Sequence, residues 1–216
     1  VLGRLHILFN LSTVVPIYAY LSLNKYDYNA LLGSCIIILL FSNFPDIDIS
    51  NNRRMISKII RNIFYFFFVI FALLLKKRKA IRHRGITHSL QGLILFSTSI
   101  FTIWLILIEM PININWLYNV IIPLSAIAAY SLHLLGDAVT KEGVDLVMNG
   151  RKIKGIIKVG KTDYIYASLY SFVQISSMLY LSFNDEIMRI PWIAFLTLTF
   201  FTLIPILLNY TNNDSR

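Results

Sequence analysis

The sequence predicts an all-α fold, a polytopic membrane helix bundle of about six spans, and three observations predict it. Apolar runs long enough to form helical spans recur along the 216 residues. Charged residues make up 14% of the chain against 56% hydrophobic ones, and the mean hydropathy is +0.66. Soluble domains carry about 25% charged residues, so a water-soluble fold of this size would lack the charge to cover its surface. Third, the basic residues are gathered into a few segments between the runs.

The runs lie near residues 5–23, 29–43, 86–108, 116–139, 164–183 and 191–208. A helix needs about 17–25 residues to cross roughly 30 Å of hydrocarbon, so the second run borrows from its flanks. The first carries His6, Pro16 and Asn24 and lacks a small-residue cleavage pattern, so it reads as a retained span and not a secretory signal. A further run, Ile63 to Leu75, is intensely apolar but has only 13 residues. At about 1.5 Å per residue it reaches roughly 20 Å. We expect a short re-entrant or interfacial helix at 63–75.

The basic residues set the orientation. Of 20 Lys and Arg, four lie between Arg53 and Arg61, six in 76–84 and six between Lys141 and Lys161. The turns near 24–28, 109–115 and 184–190 hold only Lys25 and Arg189. Lysine and arginine collect on the cytoplasmic side, which puts all three basic segments and the N-terminus in the cytoplasm. The expected protein is multi-pass in the cell (inner) membrane, provided that 63–75 does not cross. The net charge of +9 follows from this topology, and no nucleic-acid partner is expected. No internal repeat divides residues 1–216, which read as a single membrane-embedded domain. The one cysteine, Cys35, excludes an internal disulfide and a CxxC metal site.

Polar chemistry is confined to short motifs at the ends of the runs. In His133-Leu-Leu-Gly-Asp137 the imidazole and carboxylate share one helix face, roughly 5–6 Å apart at Cβ. Ionisable groups within a span are costly and mark functional sites; a metal site and a His–Asp bond that stabilises helix contacts are both open. The second motif is His83-Arg84-Gly85-Ile86-Thr87-His88-Ser89, where Thr87 or Ser89 can cap the following helix. Runs 86–108 and 116–139 form an antiparallel pair, which brings His88 level with His133 and Asp137. The third is Phe44-Pro45-Asp46-Ile47-Asp48. Extended backbone there would turn both carboxylates the same way, although a capping turn is the plainer alternative. His6, at the cytoplasmic start of the first span, can join the set. Mixed imidazole and carboxylate donors suit a divalent metal, zinc first, with manganese or iron as alternatives.

In this order, His6, PDID (45–48), HRGITHS (83–89) and HLLGDAVTKEGV (133–144), the chain resembles the YdjM-like family over residues 6–165. Its members are described as LexA-binding, inner-membrane-associated metal-dependent hydrolases, distantly similar to zinc-dependent phospholipase C and the P1-type nucleases. The resemblance implies Asp48, His88, His133 and Asp137 as metal ligands and Asp46 as a ligand or general base. It also implies His83 and Arg84 as outer groups or phosphate binders. Two positions depart from the family pattern: Ile49 stands where a histidine is common, and Thr140-Lys141-Glu142-Gly143 replaces Thr-Pro-x-Gly. Asp163 either stands where relatives carry an acid or serves as an acidic residue at a helix N-terminus.

The expected function is a membrane-bound metal-dependent hydrolase, phosphodiesterase- or phospholipase C-like, working at the cytoplasmic face on a phosphoester of a lipid or lipid-linked substrate. Membrane lipid is then a partner, and Asp46, His83 and Arg84 are the catalytic candidates. Two other classes compete. An intramembrane metal or proton carrier predicts polar residues continuing into the bundle. A non-catalytic membrane adaptor would bind a soluble regulator, which the family description alone supports.

Overall fold

The computed structural model describes residues 3–23, 28–48, 85–109, 116–149, 151–160, 162–184 and 186–214, together with 62, 66, 69, 70 and 73. Among the described residues six helices can be delimited: α1 (Gly3–Leu23), α2 (Tyr28–Phe41), α3 (Leu90–Glu109), α4 (Trp116–Ala138), α5 (Asp163–Phe183) and α6 (Ile190–Asp214). Each of the six apolar runs is a helix, and no strand forms among the described residues. Two helical stretches, Val120–Ala138 and Ile187–Thr211, are long and apolar enough to cross a membrane by length and composition. Of the 63–75 run, Phe66, Val69, Ile70 and Leu73 are helical; the rest, and with it the expected re-entrant course, lies outside the described residues.

Helix α1 touches α2, α4, α5 and α6, so it runs through the middle of the bundle. It is antiparallel to α4: His6 meets the end of α4 at Asp137, whereas Tyr18 bonds Ser125 near its start. It is parallel to α5, since Ser12 and Thr13 bond Ser171 and Tyr170 while Tyr20 reaches Met188, just beyond the end of α5.

Polarity is distributed inside out. Asn10, Ser12, Thr13, Ser42, Ser171 and Gln174 are buried, and hydrogen bonds among them join the helices. Asn10 Nδ2 donates to Ser42 Oγ (3.0 Å) and to the Ala129 carbonyl (2.9 Å). Gln174 Nε2 donates to Tyr170 and to the Ala194 carbonyl. Meanwhile Ile165, Leu169 and Phe172 on α5, and Trp192, Phe195 and Phe200 on α6, point outward and exposed. A water-soluble bundle arranges these classes the other way round.

Between α4 and α5 the chain forms a strap, residues 139–160, closed by single bridges Thr140–Ile157 and Val144–Ile153. Gly155 lies so close to Val139 that a Cβ would sit 2.0 Å from its carbonyl oxygen. The Leu90 N–H donates to the Leu146 carbonyl (2.8 Å), which fastens the strap to the start of α3. Two helix ends are thereby held together, and the ionisable groups gather there.

Candidate metal centre

Five ionisable side chains converge at this end of the bundle. His6 lies in the first turns of α1, and His133 and Asp137 in the last turns of α4. Asp46 sits in a 3-10 turn, Phe44–Asp48, that follows α2, and His88 in a second, Ile86–His88, that precedes α3. His6, His88, His133 and Asp137 are buried, and Asp46 keeps 21% of its side chain exposed at the rim.

Two imidazoles and two carboxylates approach one another closely. His88 Nε2 lies 3.2 Å from Asp46 Oδ1 and 3.4 Å from Asp137 Oδ2. His133 Nε2 lies 3.8 Å and 3.7 Å from the same two oxygens. Donors about 2.1 Å from one tetrahedral ion stand roughly 3.4 Å apart, so these four imidazole–carboxylate distances are compatible with a shared ion. Asp137 turns its other oxygen, Oδ1, to His6 Nε2 at 3.5 Å. The His6 ring stacks on His133 with centroids 3.7 Å apart. Two triads, His6–His133–Asp137 and Asp46–His88–His133, each bring their ligand atoms within 4.8 Å of one another.

The surrounding atoms orient these rings. His133 Nδ1–H donates to the Ser42 carbonyl at 2.7 Å, which leaves Nε2 with its lone pair. That nitrogen is buried and has no hydrogen-bond partner among the described residues. A bare imidazole nitrogen facing two carboxylates fits a cation between them. His88 Nδ1 contacts Thr87 Oγ1 at 3.1 Å, and the buried Tyr130 hydroxyl donates to the Thr87 carbonyl, fixing the turn that presents His88. Such outer bonds set the tautomer of a ligating histidine. Gly136 makes room for His6: a Cβ there would lie 3.0 Å from Nδ1 and 3.2 Å from Cε1. Burial would raise the Asp46 carboxyl. The His88 hydrogen bond and the nearby His133, His88 and His6 outweigh burial and hold it down to about 2, so Asp46 is ionised at neutral pH.

The sequence as a whole matches the family model described as YdjM inner membrane protein, over residues 3–211. The chain belongs to this family. No curated protein and no solved structure matches it.

The YdjM match takes in all five clustered residues, and the structure brings together His6, Asp46, His88, His133 and Asp137. One expectation is corrected. Residues 44–48 form a 3-10 turn, not an extended segment, which is the turn alternative that the sequence left open. Asp46, expected as a ligand or a general base, lies with His88 and His133 in a group that could hold a metal ion. The Asp48 side chain, His83 and Arg84 lie outside the described residues. Ser89 is engaged as a cap: its Oγ accepts the Gly92 N–H (3.1 Å) and its hydroxyl donates to the Ile86 carbonyl. In the YdjM motif after α4, Thr140 Oγ1 donates to the Asp137 carbonyl and accepts from Gly143 N–H. The departure at Lys141 therefore leaves this turn intact.

Sequence reasoning missed the Ser42 carbonyl, Tyr130 and Gly136. A backbone acceptor leaves no mark in a sequence. Tyr130, three residues before His133 on the same face of α4, was in principle findable.

Proposed function

We propose that this YdjM-family protein is a membrane-embedded, metal-dependent hydrolase of a phosphoester in a lipid or lipid-linked substrate. The observation that carries this reading is the spacing of four donors, His88 Nε2, His133 Nε2, Asp46 Oδ1 and Asp137 Oδ2, at 3.2 to 3.8 Å. These four residues would hold a divalent ion, zinc first by donor chemistry, with His6 on the second oxygen of Asp137 serving the same ion or a neighbouring one. Bound there, such an ion supplies Lewis acidity and lowers the pKa of a coordinated water. Asp46 is ionised and reaches the rim, so it can take a proton from an attacking water and pass it to solvent. Asp137 stays buried, and His133 is locked by Ser42, so these two keep the ligand geometry. Arg84 and His83 precede the His88 turn and suit the phosphoryl oxygens. Motif order supports the distant likeness to zinc-dependent phospholipase C and P1-type nucleases.

In the bilayer we infer six spans with the N-terminus in the cytoplasm. The outward apolar faces of α5 and α6 support this arrangement, as does the placing of basic residues. The site then opens at the cytoplasmic surface, where lipid headgroups lie. The test is cleavage of phospholipid and of a generic phosphodiester by the detergent-purified chain. Metal-dependent turnover lost in Asp46→Asn is expected. Stoichiometric metal without turnover on either class would count against hydrolysis.

One observation favours a second reading. The polar seam of Asn10, Thr13, Tyr170 and Gln174 continues from His6 into the bundle interior, as a metal or proton carrier would require. Metal-dependent uptake into sealed vesicles, in the absence of hydrolysis, would establish the carrier in place of the enzyme.

A further inference from the structure

Outside the donor set, His6 Nδ1 and Asp163 Oδ2 are two buried polar atoms with no hydrogen-bond partner among the described residues. Leaving such a group unsatisfied is costly, and buried waters commonly meet the need. The other two imidazoles of the cluster have their Nδ1 atoms occupied, by the Ser42 carbonyl and by Thr87 Oγ1. A ligating histidine almost always gives its second nitrogen to a carboxylate, carbonyl or water. His6 is the exception.

Helix register brings the two orphans to the same level. Ser12 meets Ser171 at 2.7 Å and Thr13 meets Tyr170 at 2.6 Å. With α1 and α5 parallel, that register sets Asp163 level with Leu5, within a turn of His6. Asp163 shares a face of α5 with Ala167, Tyr170 and Gln174, all buried, and Tyr170 from that face contacts Phe9 and Thr13 of α1. One Asp163 oxygen, Oδ1, accepts the Tyr164 N–H at 3.0 Å, which accounts for its place at a helix N-terminus. Oδ2 is left over. Gly136 of α4 closes in on the ring edge that carries Nδ1, where a Cβ would lie 3.0 Å away, so the partner of Nδ1 must come from another side.

We propose that Asp163 is a positioning residue for the metal centre, joined to His6 Nδ1–H through one buried water. The carboxylate keeps a proton on Nδ1, which makes Nε2 available to an ion shared with Asp137 Oδ1. The inference rests on the metal-centre reading for its purpose, but not for its test.

Nitrogen-15 histidine NMR of the full chain in detergent, without metal, reads the His6 tautomer directly, with His6→Gln assigning its signals. The wild type should show His6 protonated at Nδ1; Asp163→Asn should retain part of that population, and Asp163→Ala should give a mixture or the Nε2–H form. A zinc titration of the same proteins should show affinity falling about 10- to 100-fold in Asp163→Ala and less in Asp163→Asn, as outer-partner losses do. A role confined to the α5 N-terminus would alter stability and leave the His6 signals in place. An Nε2–H tautomer in the wild type, or a His6 tautomer indifferent to both substitutions, overturns the proposal. A chain that binds no zinc but shows the tautomer change removes the hydrolase reading and leaves the Asp163–His6 link standing.

Discussion

At the scale of single residues, the centre depends on how each imidazole is oriented, and three substitutions test that. Tyr130→Phe deletes the hydroxyl that holds the Thr87 carbonyl. Loss of one buried hydrogen bond costs about 1–3 kcal/mol. We expect a lower melting temperature together with roughly 10-fold weaker metal binding through His88, measured by thermal unfolding and calorimetric titration. Gly136→Ala puts a methyl group 3.0 Å from His6 Nδ1 and should disturb the His6–His133 stack while leaving His88 and Asp46 in place. Metal binding should weaken in that variant without vanishing. In the metal-free chain, Asp46 is held down to about 2, below the ordinary carboxylate value. Its contribution to stability is therefore complete above that ordinary value and is lost as pH falls toward about 2. Asp46→Asn should flatten this acid limb of the melting curve; an unchanged limb would mean that His88 does not stabilise the Asp46 anion. The His133–Asp137 pair was legible because helical spacing alone puts i and i+4 on one face. The place of Asp46 in the donor set was not legible, because it turns on whether the five residues Phe44–Asp48 coil or extend.

At the scale of elements, the apolar runs located all six helices to within a few residues, since the length of a run is itself the signal. The ends differ most at α6, which runs on to Asp214 instead of residue 208, and at the start of α3, which is Leu90 instead of residue 86 because Ser89 caps it and Ile86–His88 forms a separate turn. That offset matters for the site: His88 sits in a fixed turn before the helix and can approach Asp46 and Asp137 together. Replacing the cap, Ser89→Ala, should cost about 0.5–2 kcal/mol and weaken metal binding through His88; stability loss with unchanged affinity would show that the turn is held by Tyr130 alone. The antiparallel pairing of α3 and α4 was also legible, because it follows from span counting. The strap of 139–160 was not, since its fastening consists of backbone bonds and a close approach at Gly155.

At the scale of the whole molecule, the apolar exterior and polar interior make a prediction opposite to that for a soluble bundle. Phe172 lies near the middle of α5 and is 68% exposed. Phe172→Lys should cost about 2.5–3.5 kcal/mol in membrane insertion and deplete the protein from the membrane fraction. A soluble bundle would tolerate the change. Composition and the placing of basic residues made this architecture legible. The meeting of five side chains from four separate segments was legible only in outline, because it depends on how α1 threads between α2, α4 and α5. The most direct test of the central claim is the metal content of the chain purified in detergent without chelator, for wild type, His133→Ala and Asp137→Ala. The account predicts about one to two ions per wild-type chain, as the donor set allows, and near-complete loss in both variants while the proteins remain folded. Wild-type protein without stoichiometric metal, or variants that retain it, would contradict the account.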